Sequence, residues 1–240
     1  LETFGPGACI FPRNPYHHRM ALPSRPLVGQ KGVIMKVLAL PVGQLETNCY
    51  LLCDVERKLC AVIDPGADAD VILENVRENG CDICAILLTH GHDDHVGGVA
   101  GIRAACPDIP VYLNERDAAM QKPGMERLFP PVPDTVSYDE GDILAVGNIP
   151  VRVHATPGHT PGGVTLECGQ LLFCGDTLFA GSCGRTDFPG GDADAEMASL
   201  RKLAALPGDY HVLPGHMGAS TLQHERESNQ YMAYAIRSGK

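Results

Sequence analysis

The sequence predicts an α/β fold in which short strands alternate with amphipathic helices. Nine short segments rich in Val, Ile and Leu are bounded by Gly, Pro or Asp, as strands are. Five further segments have helical character, and in the first of them Val71, Ile72 and Val76 recur at the helical period. The chain has 240 residues, of which 44% are apolar, enough for one sizeable core. This alternation predicts the α/β class but leaves the stacking of the sheets open.

The predicted elements follow one another without an internal repeat. Strands are predicted at 35–40, 48–53, 61–64, 83–89, 111–113, 151–155, 163–167, 171–174 and 211–213. Helices are predicted at 68–79, 96–105, 115–120, 193–206 and 220–236. Gly80 is suited to end the first helix, because glycine readily adopts the left-handed conformation found just after helix ends.

Residues 1–34 differ from the rest of the chain. Five prolines, at positions 6, 12, 15, 23 and 26, oppose any helix or central strand there. A strand-like run then opens at Met35. We therefore expect residues 1–34 to be an N-terminal extension, non-native or flexible, and residues 35–240 to form the functional domain. The alternative is a structured arm that packs on the domain or on a neighbouring subunit.

The net charge and the cysteine content indicate which classes of partner and which cellular compartment to expect. The net charge of −10 disfavours nucleic acid, since that binding depends on Lys and Arg neutralising phosphates. No apolar run approaches the ~20 residues that span a bilayer, so no membrane partner is expected. Ten scattered cysteines without a secretory leader indicate free thiols and a cytoplasmic protein. The sequence gives no indication of the oligomeric state.

Metal-ligand residues cluster where predicted strands end. Residues 89–95 read Thr-His-Gly-His-Asp-Asp-His, directly after an apolar strand. Imidazoles and carboxylates at this density suit zinc or another borderline divalent metal. Three later strand ends each place a His or Asp after a Gly-containing turn. The seven candidates are His90, His92, Asp94, His95, His159, Asp176 and His216. Seven ligands are too many for one tetrahedral ion and suit two ions that share a carboxylate.

The pattern His90-x-His92-x-Asp94-His95, followed by His159, Asp176 and His216, resembles the metallo-β-lactamase fold superfamily of metal-dependent hydrolases. The resemblance extends over essentially all of residues 35–240 and implies a four-layer αββα sandwich with ligands along one edge. It implies one metal held by His90, His92 and His159, and another held by Asp94, His95 and His216. Asp176 would bridge the two ions, and Asp94 and Asp176 would be catalytic. Zinc is the expected metal, with iron or manganese as alternatives.

A longer match indicates the subfamily. Residues 178–191, LFAGSCGRTDFPGG, resemble the segment after the bridging Asp in short hydroxyacylglutathione hydrolase (glyoxalase II)-like proteins. The resemblance implies a small-molecule thioester or ester substrate of S-acylglutathione type, cleaved by a hydroxide held between two metals. Side-chain nucleophiles are then not required, so Ser182 and Cys183 are assigned no such role.

Other members of the superfamily remain as alternatives. Persulfide dioxygenases share a similar Gly-Arg-Thr-Asp-Phe stretch but use one iron, held by ligands of the His90, His159 and Asp176 type. A lactonase or promiscuous β-lactamase would use the same metals with a different pocket. True metallo-β-lactamases lack a bridging Asp at this position, which counts against β-lactams as native substrates. A non-catalytic binding module is disfavoured because all seven ligand positions are filled.

Asp64, Thr89 and Arg185 are candidates for supporting roles. A metal-bound His usually donates its other N–H to a carboxylate or carbonyl, and Asp64 and Thr89 are placed to contact such ligands. The alternative for Asp64 is a turn or N-cap residue before the first helix. Arg185 is expected either to bind a substrate carboxylate or to pair with Asp187 in its own loop.

The spacing Cys81-x-x-Cys84 is the remaining motif of note. It is a single C-x-x-C without a second pair. Small buried thiols explain it better than a zinc knuckle or a redox motif.

Overall fold

Two mixed β-sheets pack face to face, and helices cover the outer face of each sheet. The computed structural model describes residues 27–28 and 33–239. The four layers confirm the αββα sandwich that the family resemblance implies.

The first sheet has seven strands in chain order. They are β1 Leu27–Val28, β2 Ile34–Val42, β3 Thr47–Asp54, β4 Leu59–Ile63, β5 Asp82–Leu87, β6 Val111–Tyr112 and β7 Thr135–Val136. The first four pair antiparallel, and β4 to β7 run parallel. Its connections contain α1 Ala69–Glu78, α2 Asp93–Val96, α3 Val99–Ala105 and α4 Glu115–Ala118.

The second sheet contains six of the remaining strands. In chain order the elements are β8 Ile143–Val146, β9 Ile149–Ala155, β10 Val164–Cys168, β11 Leu171–Gly175, β12 Leu178–Phe179, β13 Ser182–Cys183, α5 Ala193–Ala204, β14 His211–Pro214, β15 Ser220–Thr221, α6 Leu222–Ser228 and α7 Gln230–Ser238. The strand order in the sheet is β15-β14-β11-β10-β9-β8, while β12 and β13 form a separate hairpin. Helix α5 connects β11 to β14, which pair in parallel.

Successive side chains along the central strands point to opposite faces of the sheet and pack into separate hydrophobic layers. In β3, Tyr50 and Leu52 pack between the sheets, whereas Leu51 and Cys53 pack toward Ile72 of α1. Each such strand is buried on both faces, which explains its nearly continuous apolar sequence. Burial of each large aliphatic side chain contributes about 2 kcal/mol.

All nine predicted strands overlap observed ones, and short strands such as β8 and β15 add to them. The prediction of one helix at 220–236 is wrong, because residues 220–221 form a strand and Asn229 interrupts the helix. Asn229 is extended, with φ −77° and ψ 116°, and its side chain accepts the backbone N–H groups of Tyr231 and Met232. A side chain that caps the following helix breaks the apparent periodicity at this point.

Strand β1 and the first residue of β2 lie within the expected N-terminal extension. Strand β2 begins at Ile34, and β1, which lies within the expected extension, pairs with Ile34 and Met35. The other residues of the 1–34 extension, up to position 32, lie outside the described residues.

The topology gathers strand ends along one edge of the sandwich. The carboxyl ends of β4 and β5 lie side by side because these strands are parallel, and the same holds for β11 and β14. The segments that follow β5, β9, β11 and β14, including α2, carry the seven candidate ligands. Among the described residues, no helix is long and apolar enough to cross a membrane.

Candidate metal centre

His90, His92 and His159 form a first cluster of buried ring nitrogens. His92 Nδ1 lies 3.1 Å from His90 Nε2 and 2.9 Å from His159 Nε2. A tetrahedral zinc ion with Zn–N distances of about 2.0–2.1 Å separates its nitrogen ligands by roughly 3.3 Å. The three nitrogens therefore converge at the spacing that one such ion requires.

Asp94, His95 and His216 form a second cluster beside the first. Asp94 Oδ2 lies 3.0 Å from His216 Nε2 and 3.6 Å from His95 Nε2. Thr47, at the start of β3, donates its hydroxyl to the same oxygen at 3.0 Å. That bond fixes the carboxylate in the direction of the two imidazoles.

Asp176 lies between the clusters. Its Oδ2 is 3.5 Å from His159 Nε2 of the first cluster and 3.5 Å from His216 Nε2 of the second. Its Oδ1 is 3.4 Å from His95 Nε2. The structure thus brings together all seven side chains selected from the sequence, in a His/Asp arrangement typical of a dinuclear metal site.

Asp64 and Thr89 orient two of the imidazoles. Asp64 Oδ2 lies 3.0 Å from His95 Nδ1 and accepts the Thr89 hydroxyl at 2.6 Å, while Oδ1 accepts the Thr89 backbone N–H at 2.7 Å. The same hydroxyl oxygen lies 3.2 Å from His90 Nδ1. Hydrogen bonding at each Nδ1 leaves the Nε2 atom of His90 and of His95 directed into the centre.

The loop that carries Arg185 orients a third imidazole. His159 Nδ1 donates to the Arg185 backbone carbonyl at 2.7 Å, which leaves His159 Nε2 for the centre. The Arg185 guanidinium itself makes a two-point pair with Asp187, at 2.7 Å for each bond, and stacks over Phe188 at 4.0 Å. The structure therefore shows the intraloop pairing of Arg185, on the rim of the cavity that leads to the metal centre.

Asp117 is a supporting residue that sequence reasoning missed. It is 0% exposed, and its carboxylate accepts the backbone N–H groups of Gly91 at 2.8 Å and Gly162 at 2.6 Å. Burial raises its pKa, against the hydrogen bonds from Gly91 and Gly162. Asp117 thereby links the loop of His90 and His92 to the loop of His159. In sequence it is only an acidic residue in the first turn of a short helix, which gives no signal of this role.

Strand β3 holds the loop that carries His216. The buried Tyr50 hydroxyl donates to the Pro214 carbonyl at 2.7 Å, and Asn48 Nδ2 donates to the carbonyls of Pro214 and Met217. Gly215 lies between Pro214 and Met217 in the chain, and a Cβ at this position would lie 2.3 Å from Asp176 Oδ1. Only glycine allows the backbone this close to the centre.

Burial and mutual repulsion keep His90 and His92 of the first cluster neutral. Burial, and then the neighbouring His159 and His95, lowers the pKa of His92 to about 3, and burial also lowers the pKa of His90. Neutral imidazole is the form that binds a metal. The ring nitrogens of His90 and His92 are therefore available as ligands at neutral pH.

Carboxylates beside the second cluster favour the charged form of His95. Burial opposes charge on His95, but Asp176 and Asp64 raise its pKa well above the ordinary value. Burial likewise opposes ionisation of Asp176, yet His95 and His159 hold the pKa of this carboxyl below its usual value. Among the described residues, His95 Nε2 and Asp176 Oδ1 are buried and have no hydrogen-bond partner. A cation at this position would satisfy both atoms, so the residues fit a bound metal.

A cavity of about 890 Å³ opens onto the centre. Its walls are largely apolar and include Leu45, Met125, Leu128, Phe179, Phe188, Pro189 and Met217. Its two cationic side chains are Arg127 and Arg185. Arg127 has no carboxylate within ion-pair distance among the described residues, in contrast to Arg185. A small molecule with an apolar body and an anionic end fits this lining.

Comparison with known proteins finds a matching family and a named relative. The family description "Metallo-beta-lactamase superfamily" matches residues 42–216. The hydroxyacylglutathione hydrolase GloC of Haemophilus influenzae is 33% identical over 209 residues, which cover 82% of this chain and 98% of GloC.

Two of the similar crystal structures illustrate the likeness of the fold. That of the BLEG-1 B3 metallo-β-lactamase has a TM-score of 0.73 and 32% identity, covering 82% of this chain and 99% of its own. That of TTHA1623 in a di-iron-bound form has a TM-score of 0.72 and 36% identity, covering 81% and 99% respectively.

Proposed function

The chain belongs to the metallo-β-lactamase superfamily, and we propose that within it this protein is a dinuclear metal-dependent thioesterase of glyoxalase II type. One observation carries the proposal: Asp94, His95 and His216 form a second ligand cluster beside the three-histidine cluster, with Asp176 between them. The similarity to the hydroxyacylglutathione hydrolase GloC supports S-acylglutathione-like thioesters as the substrate class.

The seven side chains would hold two divalent ions, for which we propose zinc, with iron or manganese as alternatives. Such ions, when bound, supply an activated water at neutral pH and polarise a carbonyl. Asp64, Thr89 and the Arg185 carbonyl hold three ligating imidazoles in the tautomer that points its free nitrogen inward. We propose Asp94 and Asp176 as catalytic residues because their carboxylates line the space in which the substrate carbonyl would react.

The cavity supports binding of an anionic thioester. Arg127 offers a guanidinium without a carboxylate partner among the described residues, whereas Arg185 must exchange Asp187 for a substrate carboxylate. Leu45 and Met217, which are 65% and 59% exposed, provide apolar contacts for the body of the substrate. We propose that Arg127 makes the first ionic contact and that Arg185 contributes after its pair with Asp187 opens.

The proposal is tested by the steady-state rate of S-lactoylglutathione hydrolysis on protein whose metal content is measured in the same sample. We expect two divalent ions per chain and a kcat/KM near or above about 10⁴ M⁻¹s⁻¹. The Arg127→Met variant should raise KM with little change in kcat, since the residue contacts only the distal end of the substrate. A negligible rate with two metals bound would contradict the thioesterase, and one iron with oxygen uptake would indicate a persulfide dioxygenase.

Hydrolysis of β-lactams is a second candidate, favoured by the 32% identity to the BLEG-1 B3 metallo-β-lactamase. A chromogenic cephalosporin, assayed on the same metal-loaded sample, distinguishes the two activities. We expect a kcat/KM at least about 100-fold below that for the thioester, a difference of about 2.7 kcal/mol in transition-state binding. A higher value for the cephalosporin would reverse the assignment.

We propose a cytoplasmic location for this activity. The nine cysteines that the structure describes are free thiols, which supports a reducing compartment. Fractionation of cells that express the native chain, with detection by antibody, tests this location.

A further inference from the structure

The β12–β13 hairpin forms one wall of the cavity that opens onto the metal centre, without belonging to either large sheet. Phe179, Ser182 and Cys183 line the cavity, and the centroid of the Phe179 ring lies 6.2 Å from that of the His216 ring. The hairpin has only two residue pairs, Leu178 with Cys183 and Phe179 with Ser182. A two-stranded hairpin of this size is at best marginally stable by itself. Its tip therefore needs contacts from elsewhere in the chain to hold the cavity wall in place.

Glu225 of α6 supplies such a contact to the hairpin tip. Its side chain is 0% exposed, and Oε2 accepts the Gly181 backbone N–H at 2.9 Å. The other carboxylate oxygen accepts the Ser220 hydroxyl. Among the described residues, no Lys, Arg or His lies within ion-pair distance of this carboxylate. Burial of a carboxylate is unfavourable unless donors surround it, so Glu225 and the hairpin tip stabilise each other.

Asn229 holds the same tip from the next helical turn. It is 0% exposed, and its side-chain oxygen caps α7 by accepting the backbone N–H groups of Tyr231 and Met232. The capping bonds fix the direction of the amide group. Its Nδ2 then donates to the Ser182 carbonyl at 2.9 Å and to Glu225 Oε2 at 2.8 Å. We refer to Glu225 and Asn229 together as the hairpin clamp.

The base of the hairpin is held by other contacts. Leu178 is 0% exposed and packs in the hydrophobic cluster between the second sheet and its helices. The Gly184 backbone N–H donates to the Thr177 carbonyl at 3.2 Å and closes the base. Asp176 precedes this base and Arg185 follows it, so neither depends on the clamp for its position. Loss of the clamp should therefore move the tip and leave the metal ligands in place.

We propose that Glu225 and Asn229 are positioning residues for the substrate, because they fix the hairpin tip so that Phe179 and Ser182 form a surface on which the substrate packs. This role rests on the proposed hydrolase function, since it concerns the cavity of that site. The contact between the Phe179 and His216 rings places the surface beside the substrate segment that adjoins the reacting carbonyl. Contacts to this segment are made in the ground state and in the transition state. Their loss therefore raises KM more than it lowers kcat.

Amide hydrogen exchange reports the state of the hairpin tip without reference to turnover. In metal-loaded Glu225→Ala, the amides of residues 179–182 should exchange at least about tenfold faster than in the wild type, because the tip opens locally. The amides of β10 should keep their wild-type rate, since that strand is paired on both sides within the second sheet. Equal exchange of the tip in both proteins, or a matching rise in β10, would overturn the proposal.

Steady-state hydrolysis of S-lactoylglutathione, with metal content measured in the same sample, tests the effect on the substrate. We expect KM to rise about tenfold in Glu225→Ala, with kcat within about twofold of the wild type and both metals retained. An unchanged KM, or loss of a metal, would refute the positioning role. If the wild type does not hydrolyse the thioester, the thioesterase proposal fails, and the exchange rates still decide whether the clamp holds the tip.

Conservative variants separate the hydrogen bonds of the clamp from general stability. Glu225→Gln keeps one oxygen for Gly181 and Asn229 and directs its NH2 group to the Ser220 hydroxyl, which can accept. Its exchange rates and KM should equal those of the wild type. Asn229→Asp keeps the cap of α7, because a carboxylate caps a helix well, but replaces the donor to Ser182 by an acceptor. This variant should release the tip.

Asn114→Asp is the matched control for Asn229→Asp. Asn114 is 1% exposed, accepts the Arg116 backbone N–H at 3.0 Å as the cap of α4, and donates its Nδ2 to the Tyr138 carbonyl at 2.9 Å. Both variants should lose stability, but only Asn229→Asp should speed exchange at residues 179–182. Equally fast exchange there in Asn114→Asp would indicate general loosening and overturn the proposal. A KM in Glu225→Gln as high as in Glu225→Ala would do the same.

Discussion

Replacement of Asp64 by Asn should reverse the tautomer of a metal-binding imidazole without changing its position. Asp64 Oδ2 accepts from His95 Nδ1 at 3.0 Å, which leaves His95 Nε2 free to bind a metal. In Asp64→Asn, the oxygen is held by the Thr89 backbone N–H, so the amide nitrogen faces His95. His95 Nδ1 must then accept a hydrogen bond, and its proton moves to Nε2. The protonated nitrogen is no longer a ligand.

The expected loss of metal affinity follows from the role of the Asp64–His95 hydrogen bond. Removal of a hydrogen-bond partner of a ligating His typically lowers metal affinity 10–100-fold, or about 1.4–2.7 kcal/mol. We expect a loss of this size at the Asp94, His95 and His216 cluster, and a smaller loss at the three-histidine cluster. The two metals should therefore separate into a weak site and a strong site.

The assay is competition for metal with a chromogenic chelator, followed by titration of thioesterase activity with added metal. Asp54→Asn is the matched control. Asp54 is 0% exposed and accepts three backbone N–H groups, and it lies at the end of β3 that is remote from the metal centre. Both variants should lose stability, but only Asp64→Asn should lose metal. Wild-type metal affinity in Asp64→Asn, or an equal loss in Asp54→Asn, would refute the tautomer argument.

Four further predictions concern two residues of the centre and two that support its loops. Asp176→Ala should abolish turnover and release at least one metal; normal turnover with two metals, measured by elemental analysis, would contradict this. His216→Ala should reduce the metal content from two to one and lower the thioesterase rate about 100-fold or more, whereas an unchanged rate would favour a one-metal enzyme. Asp117→Ala leaves two buried backbone N–H groups unpaired and should lower the free energy of unfolding by about 2–4 kcal/mol; a change below about 0.5 kcal/mol in urea titrations would rule out its linking role. Glu196 of α5 is buried and accepts the His159 backbone N–H at 3.1 Å. Burial raises the pKa of Glu196 from 4.5 to about 8, so the folded state binds the proton more tightly and stability falls as pH rises between these values. Glu196→Gln should flatten that fall. A pH profile of unfolding free energy that runs parallel to the wild-type profile would contradict the raised pKa of Glu196.

Much of the fold was determined locally and could be predicted from the sequence. Apolar runs bounded by Gly, Pro and Asp located every predicted strand, because strand formation and its termination depend on neighbouring residues. The candidate ligands could be selected for the same reason, since each follows a strand and a tight turn. The break at Asn229 was missed because its side chain caps a helix while its amide donates to the Ser182 carbonyl in the distant β12–β13 hairpin.

Only the tertiary structure decided which of these residues act together. Asp117 reaches two ligand loops through backbone N–H groups, and Cys81 and Cys84 pack against different hydrophobic clusters. Arg185 pairs with Asp187, one of the two arrangements that the sequence left open. Sequence periodicity records the face on which a side chain lies, but it does not record which distant segment the packing of two sheets brings against that face. Local chemistry therefore determined the elements and the ligand types, whereas contacts across the sandwich determined their partners.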